Sequence, residues 1–92
     1  MEKYVGEYRY NNGWSVSINK VNDQLNLIDQ WADLRILPIN QKLFLFKEAE
    51  NAKLEFRFNN LKEVDSLIYY GLGGTYPFKK VTESNRQGLI SE

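Results

Sequence analysis

The chain has 92 residues, is 42% hydrophobic and 14% aromatic, and carries twelve basic against twelve acidic residues. One small domain with a packed core fits that length, and the aromatic content excludes a chain disordered throughout. Zero formal net charge excludes the bulk basic footprint of a nucleic-acid or anionic-lipid binder.

No stretch comes near the roughly 20 apolar residues that span a bilayer. The start, Met1-Glu2-Lys3-Tyr4, has no signal-peptide h-region. Neither Cys nor His occurs. That removes disulfides, thiol nucleophiles, the commonest general base and the commonest transition-metal ligand. It leaves the redox compartment open. A non-catalytic domain without cofactor or metal is expected.

In chain order, Gly6-Glu7-Tyr8-Arg9-Tyr10 alternates, with Tyr8 and Tyr10 on one side. Asn11-Asn12-Gly13 is a turn signal, since Asn and Gly tolerate positive φ. Trp14-Ser15-Val16-Ser17-Ile18-Asn19 then alternates without fault, as a half-buried strand does. A second turn falls at Val21-Asn22-Asp23-Gln24, and Leu25-Asn26-Leu27 resumes the pattern. Leu34-Arg35-Ile36 follows and Pro38 closes it, because proline belongs at an edge or strand end. Lys42 to Phe46 and Lys53 to Phe58 are the fifth and sixth candidates, with Phe44, Phe46, Leu54, Phe56 and Phe58 inward. Val64 to Tyr70 and Tyr76 to Val81 complete eight, putting Val64, Leu67, Tyr69 and Phe78 inward. Gly71-Leu72-Gly73-Gly74-Thr75 connects them.

Two stretches also fit helical spacing: Leu25, Ile28 and Trp31, and Leu61, Val64 and Ile68. Asn60 with Glu63 resembles a capping box. Turn signals every eight to twelve residues favour strands, leaving room for one short helical turn over 61–68. Residues 82–92, rich in Ser, Asn, Gln and Gly, read as a C-terminal tail, flexible at its end, after a barrel domain over 1–81.

Eight short sequential strands predict a single small antiparallel up-and-down β-barrel, all-β, since closure removes both sheet edges. At about 20 Å per strand, the bulky inward residues fill most of the interior. At most a shallow pocket at one mouth is expected.

Several local matches to known motifs dissolve on inspection. Ser17-Ile18-Asn19-Lys20 and Tyr10-Asn11-Asn12 spell SxxK and YxN. On a strand, however, Ser17 and Lys20 point to opposite faces. The glycine-rich stretch lacks the Gly-Lys-Ser/Thr ending of a phosphate loop. Glu48 with Glu50, and Glu63 with Asp65, lack the run of a calcium loop. Lys79-Lys80 with Arg86 is too small for a nucleic-acid patch. Phe56-Arg57-Phe58 resembles a single-strand-binding surface, but in a closed barrel both Phe point inward.

The order Tyr4-Val5-Gly6-Glu7-Tyr8, Gly13 before Val16-Ser17-Ile18, Leu25-Asn26-Leu27, Leu34 and Ile36 with Pro38, Phe44, and Leu54-Glu55-Phe56 carries a resemblance. Val64 with Leu67 and Tyr69, then Gly73-Gly74 before Phe78 and Val81, extend it. Over roughly residues 4 to 81 the chain resembles the small lipocalin-like β-barrel found C-terminal to serine hydrolase domains of the β-lactamase and penicillin-binding-protein type. The resemblance implies an accessory module for assembly or gating of such a catalytic domain. It implies an exported bacterial parent, hence an extracytoplasmic location. It implies no catalytic residue in this chain.

Two functions follow as expectations. The first is a non-enzymatic assembly module whose partner is a serine hydrolase domain of the parent chain or a second copy. Its contact residues would be Trp31, Ile28, Leu45, Ile68, Tyr70 and Leu72, with Leu37 and Leu43 in the same outward set. Trp31 has two readings: an indole docked on a partner, or a hydrophobic plug folded over the barrel mouth. The second function is a small lipocalin-like carrier of an apolar ligand, which a pocket of roughly 300 Å³ or more inside the barrel would favour. No nucleic acid and no membrane-spanning role is expected.

Overall fold

The computed structural model describes residues 2–71 and 73–81. It is all-β: eight antiparallel strands in sequential order close into a barrel. They are β1 Gly6–Arg9, β2 Ser15–Val21, β3 Gln24–Ile28, β4 Asp33–Pro38, β5 Leu43–Phe46, β6 Lys53–Phe58, β7 Val64–Gly71 and β8 Gly74–Lys80. The expected tail over 82–92 lies outside the described residues.

Alternation dictates the registers. Val16 and Ile18 on β2, Leu25 and Leu27 on β3, and Leu54 and Phe56 on β6 all point inward and are buried. The inward residues nearer the barrel ends, Tyr10, Trp14, Leu34, Phe58 and Tyr69, are half-buried against this core. Phe44 and Phe56 meet edge to face at 5.2 Å in the middle.

Of Leu61, Val64 and Ile68, whose spacing fits a helix, only Val64 enters the core: Leu61 is exposed and Ile68 lies opposite Glu55 on the outer face. Opposite β6, Arg57 pairs with Ser66 and Phe58 with Val64, so Asp65 is an extra, unpaired residue. Such a β-bulge breaks strict alternation. Val64 and Leu67 therefore both enter the core, at 3% and 0% exposure, although three positions apart. The helical turn allowed over 61–68 is absent. The helical geometry is instead a 3-10 turn at Glu2–Tyr4. It tucks Tyr4 under the lower end of the barrel, against Phe44 at 5.1 Å and Phe56 at 4.8 Å.

Strand ends differ from the sequence reading in one place that matters. The glycine-rich connection shrinks to residues 72 and 73, because Gly71 pairs with Gly74. Such a two-residue hairpin closes on a hydrogen-bonded pair. Three pairs further on, Ile68 and Pro77 therefore exchange no ladder bonds, and the missing N–H of Pro77 faces β1. Closure between β1 and β8 rests on Tyr8↔Lys80 and Arg9↔Lys79, extended by Val81 N–H to Glu7 O at 2.8 Å. Pro77 lies above that seam, where β8 would otherwise show an unpaired edge.

Candidate functional site

Two regions of the barrel carry surface chemistry, one on its outer wall and one at its upper mouth. The outer wall follows from register. Leu37 pairs with Leu45, Leu45 with Lys53, Lys53 with Tyr70 and Tyr70 with Thr75. One step along, Leu43 pairs with Glu55, Glu55 with Ile68 and Ile68 with Pro77. One outward row thus runs across β4 to β8 and a second across β5 to β8. Their apolar members flank a charged strip on β6.

That strip is internally paired. The Tyr70 hydroxyl donates to Glu55 at 2.7 Å, Arg57 approaches Glu55 at 3.5 Å, and the Lys53 ammonium lies 5.3 Å from the Tyr70 ring centroid. The Tyr70 hydrogen bond, helped by Arg57, holds the Glu55 carboxyl below its usual range against the opposing effect of burial. The same bond raises the Tyr70 phenol.

The structure brings Leu37, Leu43, Leu45, Ile68 and Tyr70 together on this wall and adds Ile39 beside Leu43 and Pro77 beside Ile68. Ile39 and Pro77 carried no sequence signal, since their placement depends on the register. Ile28 is elsewhere, between Ser17 and Asp33. Leu72 lies outside the described residues. Trp31 stands in the β3–β4 turn at 77% exposure and does not line the mouth cavity. It is no plug: the turn is closed by Asp29, whose backbone N–H donates to Ala32 O at 2.9 Å, and this leaves the indole outside.

The upper mouth holds a cavity of about 110 Å³ lined by Trp14, Val16, Leu27, Asp29, Leu34, Phe46, Tyr69 and Phe78. Its walls are rings. Tyr69 stands at 86° to Trp14 and 88° to Phe46, with centroids 6.3 and 5.8 Å away. Tyr10 and Tyr76 back Trp14 from the rim, at 6.3 and 5.9 Å. The Tyr69 phenol is raised by burial first, then by Tyr76 and by the Asp29 carboxylate. The Trp14 Nε1 atom is sealed from solvent and has no hydrogen-bond partner, so the indole offers this space its ring and not its N–H.

Asp29 is the charged group that sequence reading passed over. Its Oδ1 accepts the backbone N–H groups of Trp31 and Ala32, both at 2.8 Å. This is an Asx-type turn, and an Asp directly after a strand was the available signal. The larger depressions, of about 430 and 470 Å³, are open surfaces at the lower end with walls of mixed polarity. Among the described residues no group of three or more acidic side chains could hold a metal ion, and no helix is long and apolar enough to cross a membrane. No known protein family, curated protein or solved structure matches the chain.

Proposed function

We propose that this barrel is a non-catalytic accessory module that acts through protein contact on its β4 to β8 wall. The observation that carries the reading is the cross-strand pair Leu37 and Leu45, 39% and 40% exposed, beside Ile39 at 56%. Scattered exposed apolar residues need no explanation. Several on adjacent strands form a patch of the kind that marks a contact surface. The absence of His and Cys and the filled core support a binding role over an enzymatic one. The partner proposed from the sequence resemblance is a serine hydrolase domain of the β-lactamase type, or a second copy.

The test is Leu37→Lys with Leu45→Lys. Both positions face solvent, so the melting temperature should stay within a few degrees. Self-association by sedimentation, or retention of a purified hydrolase domain of that type in a pull-down, should be lost. Association that survives the double variant, or a wild-type chain that associates with neither, sinks the reading.

A second reading is a small carrier, narrowed by the mouth cavity, which at about 110 Å³ falls short of the volume expected for a carrier of a larger apolar ligand. The cavity is well below the roughly 300 Å³ of drug-sized sites, so its cargo would be a single compact group and not a fatty chain.

A further inference from the structure

We infer that the upper mouth is a site for a small organic cation, a methylated or alkylated ammonium head. The inference rests on the carrier reading and specifies its ligand.

Size comes first. An apolar cavity of about 150 Å³ admits benzene. About 110 Å³ therefore accommodates roughly five heavy atoms, one ammonium carbon cluster. Chemistry comes second. The aromatic walls are Trp14, Phe46, Tyr69 and Phe78, with Tyr69 nearly perpendicular to two of the others. Rings set at right angles wall the space on more than one side, and alkylammonium groups are held among aromatic walls.

Polarity decides between a cation and a neutral apolar guest. The Trp14 N–H is sealed away, and the Tyr69 hydroxyl lies against Gly71, where an added Cβ would be 2.7 Å from it. The remaining polar group is Asp29, a carboxylate at the edge of an otherwise apolar space. Its Oδ1 is satisfied by the turn, and no Lys or Arg pairs with it among the described residues. A carboxylate set among aromatic walls is complementary to a positive charge. A neutral apolar guest would gain nothing from the carboxylate and would cost it hydration, and a neutral hydroxyl would offer it a hydrogen bond but no charge.

The chain has two tryptophans, so Trp31→Phe leaves Trp14 as the only indole reporter at the cavity. In that background, tetramethylammonium chloride is titrated against sodium chloride at matched ionic strength. The neutral comparator is tert-butyl alcohol, of nearly the same shape. The expected result is a saturable change in Trp14 emission with tetramethylammonium and a response at least about tenfold weaker with the alcohol, whose hydroxyl brings no charge to Asp29. Asp29→Asn keeps an acceptor for the two turn N–H groups and should weaken the response about tenfold, the effect of losing one close charge pair. Asp29→Ser is the second variant should the first fail to fold. Equal binding of the alcohol, or full binding by a folded Asp29 variant, overturns the cation inference and leaves the carrier reading standing. No response to either probe overturns both. The alcohol comparison needs no Asp29 variant at all, so it decides the matter even if neither variant folds.

Discussion

The Tyr8 hydroxyl donates to the backbone carbonyl of Tyr4 at 2.7 Å, inside the barrel and four residues back along the chain. Tyr4 in turn donates to Gln41 O at 2.7 Å, so two phenols tie the N-terminal 3-10 turn to the β4–β5 loop. Tyr8→Phe leaves the Tyr4 carbonyl without its donor and should cost about 1–3 kcal/mol in urea unfolding. The same variant has a pH signature. Burial, and then Tyr4, raise the Tyr8 phenol well above its ordinary value. A raised folded value means full stability below the unfolded pKa of about 10 and progressive loss above it. The wild type should thus lose stability as pH climbs past that point, and Tyr8→Phe should lose less over the same range. Equal alkaline sensitivity in both would remove Tyr8 from the cause.

Phe56 has 0% exposure and touches Tyr4, Tyr8 and Phe44. Phe56→Ala removes the ring on which these three aromatic side chains converge. About 3–5 kcal/mol is the usual cost, against about 5–10 kcal/mol of total stability for a domain this small. The variant should be at the edge of folding, seen as a collapsed melting transition. A melting point within a few degrees of wild type would contradict the inward register of β6.

How much of this was legible follows from what alternation encodes. Period two assigns a face to each residue, so the inward sets of β2, β3 and β6 could be read directly, and eight strands with short turns leave closure as the way to remove edges. Three features lie outside that code. Asp65 is an insertion opposite β6, visible only once the partner strand is known. Tyr4 precedes the first strand, where no periodicity marks it, yet it is buried at 5% exposure. The outer wall depends on which strands are neighbours: Leu45 and Tyr70 share a row through Lys53, while Ile28 does not, and face assignment alone treats all three alike. Asp29 was hidden for a related reason. A turn carboxylate is ordinary in sequence, and it becomes unusual only when the turn sits over an aromatic cavity.

Gly6 opens β1 at φ +152°, and a Cβ built there would be 2.8 Å from Lys80 Cε. Backbone conformation and side-chain crowding thus both disfavour alanine. Lys80 is a flexible arm that can move, whereas a residue with a side chain resists this φ. Gly6→Ala should therefore cost about 1–3 kcal/mol, nearly the same in a Lys80→Ala background. Full recovery in that background would assign the cost to crowding alone.

At the opposite end, Gly71 gives Tyr69 its position. An added Cβ would be 2.7 Å from the Tyr69 hydroxyl, 2.9 Å from its Cζ and 3.3 Å from the Ala52 Cβ. The ring is the more mobile of these neighbours, so Gly71→Ala should push it off its place as a cavity wall. Overpacking of this kind costs about 1–3 kcal/mol. Because Trp14 meets Tyr69 edge to face at 6.3 Å, the shift should also alter Trp14 emission in the Trp31→Phe background, with no ligand added. Removing the nearest atom should relieve part of the crowding, so Gly71→Ala in a Tyr69→Phe chain should cost less than in the parent. If the two costs are equal and Trp14 emission does not move, then Tyr69 is not held by the open space above Gly71. The cavity wall would then have to be set by the ring contacts of Tyr69 with Trp14, Phe46 and Tyr76.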